Sequence, residues 1–99
     1  MTDFRRLIVE DARLILLKAL AAQTDDTLHS DLLRAELATF GIRRDRAWVH
    51  GELDWLAEHG AVTLVDAGSV KVATLTEKGA RHLAREIAIE GVKRPSRED

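Results

Sequence analysis

The amino-acid sequence predicts a small, mostly helical α+β domain with the element order helix, helix, helix, β-hairpin, helix. Three observations carry this prediction. Apolar residues recur every three or four positions along most of the chain, which is typical of amphipathic helices. Between residues 62 and 75 the pattern changes to β-branched and alternating residues around a turn, which is typical of a hairpin. Gly41, Gly60 and Gly91 follow three of the four predicted helices, where glycine often ends a helix.

The first predicted helix covers residues 3–22 and is apolar on two sides. One side carries Phe4, Ile8, Ala12, Ile15 and Ala19, and the other carries Leu7, Leu14 and Leu17. A helix that is apolar on two sides needs two neighbours. We therefore expect one side to face the core of the domain and the other to face a second subunit.

The second and third predicted helices cover residues 28–40 and 46–59, and residues 23–27 are predicted as a loop. Thr27 or Ser30 is expected to cap the second helix, and Asp45 is expected to cap the third. The two helices are joined by a short turn that contains glycine, which is the helix-turn-helix arrangement.

A β-hairpin is predicted after the third helix, with strands 62–65 and 70–75. A hairpin that follows a helix-turn-helix is a wing. Thr76 is expected to cap a last helix over residues 77–89. The sequence therefore predicts a winged helix-turn-helix.

Composition limits the classes of protein that the chain can belong to. Its 99 residues suit one domain, which we expect to cover residues 1–91, followed by a flexible C-terminal tail over residues 92–99. There are 17 acidic residues against 15 basic ones, so the net charge of −2 gives no general attraction to nucleic acid. The absence of cysteine excludes disulfides and thiolate metal sites, and no apolar run is long enough to span a membrane. We expect a cytoplasmic protein.

Two stretches carry a resemblance to a known class. Leu53–Val62, LDWLAEHGAV, and Leu75–Gly79, LTEKG, resemble the end of the recognition helix and the end of the wing in winged-helix regulators of the ArsR and MarR kind. The whole chain, including residues 91–96, also resembles a group of small proteins of Mu-like prophages. The first resemblance implies DNA binding, and the second implies a phage setting. The cysteine-containing metal motif of ArsR sensors is absent, so soft-metal sensing does not carry over.

The start of the third helix holds the candidate DNA contacts, because this part of a recognition helix reaches the major groove. Arg43 and Arg44 precede the helix and are expected to contact phosphate. Arg46, Ala47 and His50 lie opposite the core side and are expected to face base edges. An arginine fork matches guanine or phosphate.

Further candidate contacts lie in the wing and the tail. Lys71 is the clear cation of the wing and is expected to contact phosphate. The tail carries Lys93, Arg94 and Arg97, which are expected to touch a DNA backbone or a partner protein.

Trp48 and Trp55 are seven residues apart and share one side of the third helix. Two interpretations stay open, because the pair can pack against the first helix or the sheet, or be exposed as a protein interface. The four histidines have no i, i+4 spacing, so we expect no metal site. No catalytic motif is present, and we expect neither a cofactor nor an enzyme.

The favoured function is a phage or prophage transcription regulator that reads the major groove of double-stranded DNA with the segment 44–59. We expect a homodimer through helix 1, helix 4 or both. The alternative is a winged-helix adaptor for a phage protein in assembly or DNA packaging, with little or no DNA binding. Asp54 and Glu58 favour that alternative, because they continue the face that would approach phosphate.

Overall fold

A computed structural model describes residues 3–97. It confirms the predicted fold class, because residues 3–97 form four helices and one three-stranded antiparallel sheet. The elements are α1 (Phe4–Ala21), β1 (Thr27–His29), α2 (Ser30–Thr39), α3 (Arg46–Glu58), β2 (Val62–Ala67), β3 (Val70–Leu75) and α4 (Glu77–Leu83).

Strand β1 lies where the sequence predicts the end of a loop and the start of the second helix. It pairs antiparallel with β3, and β3 also pairs with β2, so the strand order is β1-β3-β2. The cap of α2 was also predicted wrongly, because His29 takes that position. Its Nδ1 accepts from the backbone N–H of Asp31 at 3.2 Å.

Two other predicted caps are confirmed. The carboxylate of Asp45 accepts from the backbone N–H of Trp48 at 2.8 Å and begins α3. The hydroxyl of Thr76 accepts from the backbone N–H of Gly79 at 3.1 Å and begins α4. Such caps satisfy N–H groups that have no partner inside the helix.

The core forms where the apolar stripes of the first three helices meet the sheet. Burial is nearly complete for Leu16, Leu17 and Leu20 of α1, Leu33 and Leu37 of α2, Val49, Leu53 and Leu56 of α3, and Ala73 of β3. Helix α1 contributes the largest share of the core residues and packs against α2, α4, β1 and β3.

The last helix is shorter than predicted, because α4 ends at Leu83 and Arg85 adopts a left-handed conformation with φ of 62°. The residues that follow, 84–97, form a non-helical segment that we call the C-terminal strap. Its apolar residues Ile87 and Ile89 still pack on the core. Ile87 lies four residues after Leu83, and this spacing predicted a longer helix.

The predicted flexible tail is wrong at its start. Val92 is 5% exposed and belongs to the core. The backbone N–H of Lys93 donates to the Glu10 carbonyl at 3.1 Å, and its carbonyl accepts from Nε2 of the buried His82 at 3.0 Å. Gly91, with φ of 97°, turns the strap across Trp55 instead of ending the domain. Residues 98 and 99 of the predicted tail lie outside the described residues.

Within the described part of the chain, no helix is long and apolar enough to cross a membrane.

Candidate nucleic-acid interface

The helix-turn-helix gathers three arginines around one surface cleft. The turn between α2 and α3 is anchored by Ile42, which is buried and whose N–H donates to the Leu37 carbonyl at 2.9 Å. The next two residues, Arg43 and Arg44, then lie beside Arg34 of α2. The cleft has a volume of about 320 Å³ and is lined by Asp31, Arg34, Ala35, Ala38, Arg43 and Arg44. We call it the arginine cleft.

Two of the three guanidinium groups of the arginine cleft, those of Arg34 and Arg44, are held by backbone carbonyls. Nε of Arg34 donates to the Arg44 carbonyl at 2.6 Å, and Nη1 of Arg44 donates to the Arg43 carbonyl at 3.0 Å. The Arg44 guanidinium also lies 5.4 Å from the ring centroid of Trp48. Within residues 3–97, none of the three guanidinium groups forms an ion pair. Their remaining N–H groups can bind an anion such as phosphate.

Arg46 was predicted to face base edges, but in the structure its side chain binds Asp31. Its guanidinium grips the carboxylate of Asp31, in the first turn of α2, through two hydrogen bonds of 3.0 and 2.6 Å. The hydrogen bond from Arg46 holds the pKa of Asp31 below its usual range. The pair joins the starts of α2 and α3 and neutralises both charges at the edge of the arginine cleft.

His50 also has a partner inside the domain. Its Nε2 lies 2.8 Å from the hydroxyl of Ser30, which is almost fully buried. The same hydroxyl accepts from the backbone N–H of Lys71 at 3.1 Å. Ser30 therefore links α3, α2 and β3, a structural role that the sequence analysis missed.

Lys71 lies between two carboxylates. Its Nζ is 3.1 Å from the carboxylate of Asp66 in the wing and 3.6 Å from that of Asp54 in α3. The hydrogen bond to Asp66 and the charge of Asp54 raise the pKa of Lys71 above its ordinary value. Lys71, which was predicted to contact phosphate, is thus already paired with two carboxylates.

The outward face of α3 begins with small residues and continues with acidic ones. Ala47, Gly51, Asp54 and Glu58 are all exposed along it. A Cβ on Gly51 would meet nothing within 4 Å, so no packing inside the domain requires glycine there. This face offers the Ala47 methyl group in the first turn, and exposed backbone and carboxylates beyond it.

The two tryptophans pack internally, which is one of the two interpretations that the sequence left open. Both are partly buried against the core. Trp55 is sandwiched between the guanidinium of Arg13, 3.7 Å from its ring centroid, and the ring of His59, stacked at 3.6 Å. Arg13 also pairs with Glu52 at 2.7 Å and donates to the Gly91 carbonyl at 2.9 Å. Sequence analysis missed Arg13 and Glu52, because their partners are far away along the chain.

No protein-family model matches the chain. A curated relative does match it. Over 89 residues the chain is 33% identical to the uncharacterized protein gp26 of Escherichia phage Mu, and the match covers 90% of this chain and 92% of gp26. The chain belongs to the gp26 family.

Solved structures place this gp26-family protein among winged-helix proteins. F93 from STIV, a winged-helix DNA-binding protein, is 28% identical with a TM-score of 0.57 over 75% of this chain and 79% of F93. Sco3205, a MarR family transcriptional regulator from Streptomyces coelicolor solved in complex with DNA, is 25% identical with a TM-score of 0.58. That match covers 82% of this chain and 52% of Sco3205, so this chain spans about half of that regulator.

The basic residues of the strap lie away from the arginine cleft of this gp26-family protein. Nζ of Lys93 is 3.7 Å from the carboxylate of Asp11 in α1, and Arg94 lines a groove between α1 and α2. Arg97 is exposed near the end of the strap. Lys93 and Arg94, which were expected to touch a DNA backbone or a partner protein, therefore lie beside α1 and not in the arginine cleft.

Proposed function

We propose that this gp26-family protein binds double-stranded DNA as a transcription regulator of a phage or prophage. The observation that carries the proposal is the arginine cleft, where three guanidinium groups at the helix-turn-helix form no ion pair within residues 3–97. A helix-turn-helix presents this part of its surface to a duplex. The DNA-binding descriptions of F93 and Sco3205 support the same assignment.

The contacts divide by chemistry. Arg34, Arg43 and Arg44 clamp a phosphate of the DNA backbone, since arginine matches phosphate through paired N–H groups. Ala47 lies on the part of α3 that faces the major groove, where a methyl group can contact the methyl group of thymine. Arg46 and His50 act mainly through the fold, by holding α3 against α2.

The test is a titration of a labelled duplex of mixed sequence, followed by fluorescence anisotropy at several salt concentrations between 25 and 200 mM. Phosphate contacts predict a logarithm of affinity that falls linearly with the logarithm of salt. Arg34→Ala, Arg43→Ala and Arg44→Ala should each reduce the salt slope by about 1 and weaken binding about tenfold near 0.1 M salt.

Arg81→Ala is the matched control, because Arg81 is an exposed arginine of α4 that pairs with Glu86. It changes the net charge equally but lies outside the helix-turn-helix, so it should leave the affinity within twofold. Loss of affinity in all four variants alike would reduce the proposal to a net-charge effect. A folded protein with no binding at 25 mM salt would overturn it.

One observation favours a protein adaptor as the second candidate function. Arg46, His50 and Lys71 all have intramolecular partners, and exposed carboxylates follow along α3. An adaptor would use this acidic side of the winged helix to bind a basic surface of a phage protein. If the protein is an adaptor, the wild-type chain and the variants Asp54→Asn and Glu58→Gln should all fail to bind the duplex. Each variant should also lose binding to the partner protein.

A further inference from the structure

One face of α1 carries two grooves that meet end to end. The first, of about 340 Å³, is lined by Phe4, Leu7 and Ile8 and the second, of about 310 Å³, by Leu14, Ile15, Ala19 and Phe40. Both grooves are also lined by Asp11 and Lys93, so the face is continuous. Phe4 is 71% exposed and Phe40 is 61% exposed, which is unusual for phenylalanine in one small domain.

The face is complementary to itself. Phe4 projects at one end, and the groove beside Phe40 lies at the other end, next to Lys18. Residues 4 and 18 are separated by about 21 Å along the helix at 1.5 Å per residue, and Asp11 is halfway between them. A two-fold axis at Asp11 would therefore lay α1 antiparallel on a second α1 and place each Phe4 over the opposite groove.

We infer that this face binds a second copy of the chain, with the Phe4 ring of each protomer seated in the groove lined by Leu14, Ile15 and Phe40 of its partner. A cavity of about 150 Å³ accommodates benzene, so a groove of about 310 Å³ has room for a phenyl ring. This inference does not rest on DNA binding.

The charges along the face agree with this arrangement. The two Asp11 carboxylates meet near the axis, and each has its own counter-ion, since Nζ of Lys93 lies 3.7 Å away. The outward face of α4 instead carries Glu77, Lys78, Ala80 and Arg81 and offers no comparable apolar surface.

Sedimentation velocity between 1 and 300 µM tests the interface. The wild-type chain should be a dimer, and Phe4→Asp or Phe40→Lys should each raise the dimer dissociation constant at least about tenfold, because a charge enters an apolar groove twice per dimer. Val65→Asp is the matched control, since Val65 is 66% exposed on β2 outside this face and should leave the dimer intact. Circular dichroism checks that each variant is folded. A wild-type monomer at 300 µM, or equal weakening by Val65→Asp, overturns the inference.

Mixing the two variants tests the pairing of Phe4 with the opposite groove. A heterodimer of Phe4→Asp with Phe40→Lys keeps one intact contact and joins the two new charges in the other. The mixture should therefore dimerise more tightly than either variant alone. If the mixture dimerises no more tightly than either variant alone, the antiparallel arrangement is contradicted.

The cysteine-free chain allows a second check of the axis. Asp11→Cys should oxidise rapidly to a disulfide-linked dimer, because the two-fold axis brings the two positions together, whereas Val65→Cys should not. Equal rates of cross-linking at both positions would overturn the placement of the axis. The DNA titration of the arginine cleft has a separate readout, so failure of one proposal does not imply failure of the other.

Discussion

The two ends of the helix-turn-helix surface differ in how their charged groups are used. At the turn end, the side chains of Arg34 and Arg44 donate to backbone carbonyls, and the Arg44 guanidinium lies over the ring of Trp48. At the wing end, Lys71 is held between two aspartates and the Ser30 hydroxyl binds the Lys71 backbone. The wing end uses its polar groups to hold the fold together, whereas the turn end leaves them available for a ligand. Loss of the Ser30 hydroxyl at the wing end should therefore mainly reduce stability, and loss of an arginine at the turn end should mainly reduce DNA affinity.

The largest effect is expected for Ser30→Ala at the wing end. The substitution removes a buried hydroxyl that binds both His50 and the Lys71 backbone, and each group left unpaired costs about 1–3 kcal/mol of the free energy of unfolding. Urea unfolding measures the loss. Arg43→Ala at the turn end should stay within about 0.5 kcal/mol of wild type. If both variants lose the same stability, the contrast between the two ends is wrong.

A smaller effect, on DNA affinity, is expected when the acids around Lys71 are removed. Asp54→Asn combined with Asp66→Asn frees the Lys71 ammonium for phosphate and removes two repulsive charges, so affinity near 0.1 M salt should rise about tenfold. The anisotropy titration measures it. Glu86→Gln together with Glu90→Gln is a control that changes the net charge equally on exposed residues of the strap. An unchanged affinity would mean that the wing does not approach DNA.

The smallest effect concerns the pair between Asp31 and Arg46, which lies between the two ends. The folded-state pKa of Asp31 is lowered, mainly by its hydrogen bond from Arg46. Its stabilisation is therefore present above the unfolded pKa of about 3.9 and is lost as the pH falls through the folded value. The difference in Tm between wild type and Asp31→Asn should be positive at pH 6 and shrink towards pH 2.5. A constant difference would show that the ion pair does not contribute.

Local patterns made most of the fold predictable. The apolar stripes of the first three helices and the caps Asp45 and Thr76 act within a few residues, so they are visible in a linear sequence. Strand β1 was missed because three residues cannot show a period, and because its partner β3 lies more than 40 residues further on. The end of α4 was missed because Ile87 keeps a helical spacing from Leu83, although the chain is no longer helical after Leu83.

The candidate site was predictable in position but not in pairing. The turn between two helices indicated Arg43 and Arg44, and the structure places both in one cleft. Arg34 was missed, since its contact with the Arg44 carbonyl spans ten residues. The partners of Arg46 and His50 lie 15 and 20 residues away in α2. Such contacts depend on how helices cross, which composition and periodicity do not specify.

The C-terminal strap has a consequence for the order of events during translation. The hydrogen bond between Arg13 and Gly91 joins positions 78 residues apart, and Val92 completes the core around α1. Because a chain is made from its N-terminus, α1 leaves the ribosome long before the residues that cover it. The nascent chain must therefore keep part of the apolar surface of α1 uncovered until residues 91 and 92 have been made.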